Sequence, residues 1–180
     1  HGLHLIFKDE YPNKTVNGRT NSEILDALNT SGDVHYHPCP EAYPGEEIPT
    51  GNLRRFKKWS NSVVYRGTER TISIYVPNLE DSGYSGEYKL MVFQDGDGYL
   101  RRRGPIRATK VLDTLIHNRE IEPTIGLFVN PGVPENALAG ADDRQILDQR
   151  SIEYDTCDGK YVRFLIDEVI PFMESEVGLP

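Results

Sequence analysis

The chain has 180 residues, with 28 Asp and Glu against 20 Lys and Arg and a formal charge of −8. That length suits one domain with a sizeable core. Its interspersed, net acidic charge excludes nucleic acid or an anionic membrane as the main partner, because either needs a concentrated basic face. No stretch approaches the ~20 apolar residues of a membrane span.

Residues 1–50 read as an irregular N-terminal extension. They begin at His1 with no visible signal peptide, so the chain is expected to be a processed product or a fragment. The triplets Asn13-Lys14-Thr15 and Asn29-Thr30-Ser31 are glycosylation sequons and lean toward a secreted or periplasmic location. Residues 22–28 fit a short helix capped by Asn21 or Ser22, with Ile24, Leu25 and Leu28 on one face. Pro38, Pro40, Pro44 and Pro49 then break regular structure. His1, His4, His35 and His37 gather in this segment without a further ligand at a convincing spacing, so no metal and no cofactor is assigned. Cys39 and Cys157 fit either one disulfide or two free thiols.

Residues 51–180 carry the ordered pattern. A strand is expected over 56–65. Residues 70–76 (RTISIYV) alternate, with Ile72, Ile74 and Val76 on one face, and read as a half-buried antiparallel strand ended by Pro77. Turn residues follow through Gly83 and Gly86. The continuous apolar run 88–93 (YKLMVF) predicts a strand at the sheet centre. Val111, Leu112, Leu115 and Ile116 predict a helix over 106–118, with His117 at its C-terminal end, where a cation offsets the helix dipole. Residues 124–129 (TIGLFV) predict a second buried strand, then comes a long loop, and 161–176 predict an apolar helix ended by Gly178 and Pro180. Three strands, a helix, a strand and a helix make the front part of an α/β mixed sheet: an antiparallel edge, then parallel strands joined by crossover helices. Arg101-Arg102-Arg103 is a short solvated basic run or an anion clamp beside the site.

The segments "RTISIYVPNLEDSGYSGEYKLMVFQDGDGYL", "VLDTLIHNREIEPTIGLFVNPG" and "RSIEYDTCDGKYVRFLIDEVIPFME" resemble, in order, the enterochelin-esterase and esterase-D type of α/β-hydrolase from about Trp59 to Leu179. The resemblance implies a serine carboxylic-ester hydrolase whose nucleophile sits on a Gly-x-Ser-x-Gly turn, followed by the acid and the histidine. No such turn occurs in the chain. Gly83-Tyr84-Ser85-Gly86 brings its second glycine one residue early, between two strands, and reads as a loop. The expectation is therefore an incomplete esterase domain, 51–180, whose triad lies beyond Pro180. A second polypeptide or an oligomer would complete the sheet, and a small ester would be the substrate. The alternative is an inactive hydrolase-like scaffold acting as an interaction or structural subunit.

What this chain would supply is the oxyanion loop 94–99, straight after the apolar strand. Its glycines let backbone N–H groups approach a developing negative charge, and the N–H of Gly96 or Asp97 is the expected donor. A tight acidic turn, or an Asp-x-Asp-Gly cation loop lacking the later glutamate, are the other readings of those residues. Asp95, Tyr99, Asn130, Arg150 and Glu153 are the candidate substrate contacts. Asn130 follows a strand's C-terminal end, where α/β sheets place ligands. Arg150 and Glu153 fall in the stretch Arg-Ser-x-Glu-Tyr-Asp, expected to be a loop near the pocket floor. They would pair with each other or position the nucleophile's surroundings.

Overall fold

The computed structural model describes residues 15–16, 19–20, 38–79, 84, 86–135 and 143–178. The expected helix over 22–28, the histidines His1, His4, His35 and His37, both sequon asparagines and Ser85 lie outside them. Strands β1 (Thr15–Val16) and β2 (Arg19–Thr20) form a small antiparallel pair.

The main sheet is built from β3 (Asn52–Trp59), β4 (Thr68–Val76), β5 (Lys89–Gln94) and β6 (Thr124–Val129), in the order β3-β4-β6-β5, with the short β7 (Val133–Pro134) paired to the start of β4. β3 and β6 run antiparallel to β4, while β5 and β6 are parallel, with Leu90 opposite Ile125 and Gln94 opposite Val129. The crossover between β5 and β6 carries the one-turn α1 (Gly96–Tyr99) and α2 (Ala108–His117). After β7 come α3 (Asp143–Tyr154), α4 (Lys160–Phe164), a π-turn (Leu165–Val169) and α5 (Ile170–Val177). The fold is α/β, a mixed sheet between helices.

The pleat explains the two cores. Ile72, Ile74, Ile125, Leu127 and Val129 point to one face and meet Tyr161, Phe164, Val169 and Met173 of the last helices. Tyr75 and Phe128 point the other way and meet Ala108, Leu112 and Ile116 of α2, with Phe93 stacked on Phe128 at 4.5 Å between ring centres.

Three expectations need correction, and one open alternative is decided. β4 is buried on both faces, not half-buried: Thr71, Ser73 and Tyr75 are buried as well as the isoleucines, with Tyr75 packed against α2. β5 stands at the edge of the described sheet, with Leu90 and Met91 exposed, although its apolar run suggested the centre. The strand expected over 56–65 starts earlier and ends at Trp59: Lys58 takes a positive φ of 57°, and the chain then turns onto Glu168. That carboxylate accepts the Ser62 hydroxyl at 2.6 Å and the N–H groups of Val63 and Val64 at 2.9 and 2.8 Å. The two cysteines are both free and exposed, which removes the disulfide alternative.

Residues 38–50 pack on the domain. Ala42 is fully buried, Thr114 donates its hydroxyl to the Glu41 carbonyl at 2.8 Å, and the Tyr43 ring lies under the Arg107 guanidinium. No helix among the described residues is long and apolar enough to cross a membrane.

Candidate active site

The C-terminal ends of the parallel strands β5 and β6 lie side by side, so the residues that follow them share one rim of the sheet. After Gln94, Asp95 turns the chain with φ 53° and ψ 40°, a left-handed conformation that few non-glycine residues adopt and that aspartate, like asparagine, tolerates better than most. Gly96 follows with its backbone pressed onto β6: a Cβ there would stand 2.7 Å from the Phe128 carbonyl carbon and 2.9 Å from the Val129 nitrogen. Only glycine permits that approach. Gly98 closes the turn by donating its N–H to the Asp95 carbonyl at 2.8 Å.

Each residue of the turn is tied down by a different partner. The Asp95 carboxylate accepts a fork from Arg150, with Nε at 3.0 Å from both oxygens and Nη2 at 2.8 Å from one. The Asp95 N–H donates to the Tyr154 hydroxyl at 3.3 Å, and that hydroxyl donates to the Val129 carbonyl at 3.2 Å. Asp97 donates its N–H to Asn130 Oδ1 at 2.9 Å, and its carboxylate accepts from Arg55 of β3 at 2.7 Å. Asn130 is itself held by its N–H on the Thr71 carbonyl at 3.1 Å.

Of the residues expected at the site, Asp95, Gly96, Asp97, Asn130 and Arg150 therefore meet on this rim. The Asp97 N–H is already taken by Asn130. Tyr99 departs from the group to pack against Phe93, 5.1 Å between ring centres, on the α2 side of the sheet.

The stretch 150–155 was expected to be a loop with an Arg150–Glu153 pair, and both points are corrected. Residues 150–154 are the last turn of α3, where a spacing of three would allow Arg150 and Glu153 to pair, but the two side chains take different partners. Arg150 reaches Asp95, and the guanidinium also lies 5.2 Å from the centre of the Tyr154 ring. Glu153 instead turns inward to Arg70, with Nη1 at 2.6 Å and Nη2 at 2.9 Å. Gln149 and the Gly132 N–H complete its hydrogen bonds at 2.9 and 3.2 Å.

Sequence reasoning missed the parts played by Tyr154 and Arg70. The available signal was spacing: Arg150 and Tyr154, like Gln149 and Glu153, stand four residues apart and share a face of a helix. Burial raises the Tyr154 hydroxyl to a pKa of about 12, so it stays protonated and able to donate across the neutral range.

A separate cavity of about 1050 Å³ opens at the opposite end of the sheet, lined by Tyr75, Asp113, Ile116, His117 and Pro123 among others. None of the residues expected at the site reaches it. Its polar focus is Asp113, which accepts the Tyr75 hydroxyl at 2.7 Å and the Gly51 N–H at 2.8 Å. Burial raises the carboxyl above its ordinary pKa.

No family model and no curated protein matches the sequence. Solved structures do match the fold. The enterobactin esterase of Shigella flexneri in the presence of enterobactin shares 14% identity at TM-score 0.54, over 79% of this chain and 31% of that one. Ferric enterobactin esterase of Salmonella typhimurium gives 18% and 0.52, over 80% and 30%. A ferulic acid esterase of Anaeromyces mucronatus in complex with ferulic acid gives 17% and 0.51, over 79% and 50%. This chain has an esterase-like α/β fold. It spans between about a third and a half of the length of those proteins.

Proposed function

We propose that the chain is the oxyanion-binding part of a serine carboxylic-ester hydrolase. The observation that carries this reading is the Asp95–Gly96 turn, anchored at the C-terminal end of a parallel strand pair with glycine backbone against β6. Acyl transfer builds negative charge on the carbonyl oxygen, and rigid backbone N–H groups at such a turn stabilise it without reorganising. In α/β-hydrolases one donor comes from a loop after an early strand. The Gly96 N–H is the assigned donor here. Asn130 and Asp97 hold the turn closed, and Asp95 and Arg150 form its polar wall. The nucleophile, acid and histidine come from polypeptide outside these 180 residues, since the sequence holds no Gly-x-Ser-x-Gly turn. The substrate class is a small ester, in keeping with the enterobactin and ferulic acid esterases of like fold. Residues 1–50 form an extension to the domain 51–180, and the location is secreted or periplasmic.

The test uses the protein at its natural length. Hydrolysis of p-nitrophenyl butyrate, with a fluorophosphonate labelling a serine beyond residue 180, is the expected result. No hydrolysis, or a label within residues 1–180, would overturn the reading.

A second reading rests on the open edge of β5. That strand pairs with β6 on one side only among the described residues, and an unpaired edge accepts another strand. An inactive protein that sediments as an oligomer or with a tightly held partner would favour a scaffold role; an inactive monomer would exclude it.

A further inference from the structure

We propose that Tyr154 is the positioning residue of the Asp95–Gly96 turn, holding it in place through a hydroxyl that bridges the Asp95 N–H and the Val129 carbonyl. The inference rests on the oxyanion reading of that turn and adds to it the group that sets its position.

The geometry separates Tyr154 from the other anchors. Asn130 and Arg55 act on Asp97, one residue past the donor, and Arg150 acts on the Asp95 side chain rather than on its backbone. Tyr154 alone among these four touches the backbone immediately before Gly96, and on its other side it fixes β6, against which Gly96 is packed. One hydroxyl therefore sets the spacing between the turn and the strand beneath it. Asp95 needs such a restraint because its left-handed backbone is costly, by about 1 kcal/mol or more.

Tyr154 is rigid in turn. Its ring stands edge-on to Tyr161 at 5.1 Å and beneath Arg150 at 5.2 Å. The preceding residue, Glu153, is locked into the buried pair with Arg70. The helix end that carries the phenol is thus fixed from the core, and the raised pKa of about 12 keeps the phenolic proton in place for Val129.

The variant Tyr154→Phe keeps the ring and removes only the bridge. Removing one such hydrogen bond is expected to change a local opening equilibrium by about tenfold. NMR-detected hydrogen exchange in the protein at its natural length should show the Asp95 amide about tenfold faster, with Ile72 and Leu127 amides unchanged. With p-nitrophenyl butyrate, kcat should fall about tenfold at constant KM, because the turn acts on the developing oxyanion rather than on ground-state binding. An unchanged Asp95 amide overturns the assignment, whether or not the protein hydrolyses esters. A faster amide with unchanged kcat in an active enzyme also overturns it. If the wild-type protein hydrolyses no ester, the hydrolase reading falls by itself, and exchange at Asp95 still decides whether Tyr154 sets the turn.

Discussion

Arg70 and Glu153, 83 residues apart in sequence, form a two-point ion pair in which neither side chain has any solvent exposure. The guanidinium lies 4.4 Å from the centre of the Phe164 ring, and its Nη2 donates also to the Thr68 hydroxyl at 3.0 Å. The pair joins the start of β4 to the end of α3, and so ties the sheet to the helix whose last turn reaches the candidate site.

Burying two charges costs several kcal/mol per ion, and their attraction offsets that cost only while both are present. The variant Glu153→Gln leaves an uncompensated guanidinium in the core. Its expected destabilisation is about 3–5 kcal/mol, read as a lower urea midpoint at unchanged m-value. The double variant Arg70→Met with Glu153→Leu should recover most of that loss, because an apolar pair of similar volume carries no desolvation penalty. A Glu153→Gln variant as stable as wild type would mean that the pair is not shielded from water.

Gly132 sits directly over the same pair. A Cβ at this position would meet Arg70 Nη2 and Glu153 Oε1 at 2.8 Å and Thr68 Cβ at 3.0 Å. Both ionic groups are fixed by several hydrogen bonds, so neither yields at low cost. Gly132→Ala is expected to destabilise by about 1–3 kcal/mol, the usual range for overpacking, and thermal unfolding would check it. A melting temperature equal to that of wild type would show the loop after β6 to be slack.

Gly96 and Gly98 make a paired comparison within one turn. An added Cβ at Gly96 strikes backbone atoms of Phe128 and Val129, which cannot rotate away, whereas one at Gly98 meets nothing within 4 Å. Gly96→Ala is therefore expected to push the turn off β6, with a loss of about 1–3 kcal/mol and of any hydrolysis that depends on the Gly96 N–H. Gly98 lies inside α1 without a positive φ, so Gly98→Ala should be neutral or stabilising by a few tenths to about 1 kcal/mol. Equal effects at the two positions, measured by urea unfolding and by ester turnover, would contradict the close approach at Gly96.

Much of this architecture was legible because it follows the pleat and the helix period. The limits of β6 coincide with the run TIGLFV, and those of α2 differ from the expected helix by a few residues. The sheet order was harder to read. The apolar run of β5 suggested a central strand, yet the sequence of one strand says nothing about what stands beside it. Helix α3 reads as a loop in the sequence because its segment DRQILDQRSIEY has only three aliphatic positions, too few for an apolar stripe. That helix is held in part by the ion pair its Glu153 makes with a strand far away in sequence. Arg150 and Glu153 stand three apart, a spacing that a helix would let pair. They part because distant partners claim them, Asp95 at the rim and Arg70 in the core, and Tyr154 takes its place beside Asp95.

Asp113 provides the last test, at the end of the sheet away from the rim. Its carboxyl is buried and its pKa lies above the ordinary aspartate value, chiefly through desolvation and in spite of the hydrogen bonds from Tyr75 and Gly51. The folded state therefore holds this proton to higher pH than the unfolded chain does. It binds more protons in that window, so the contribution of Asp113 is fully present below the ordinary value near ~3.9 and is lost as pH rises through the folded pKa. The variant Asp113→Asn would keep an acceptor for both donors without the charge. The stability of wild type relative to that variant should thus decline as pH rises above about 4, then level off once the native carboxyl is ionised. Urea midpoints for both proteins across that range would show it. A difference that stays flat, or that grows in favour of wild type with rising pH, would mean that the carboxylate is stabilised where it lies.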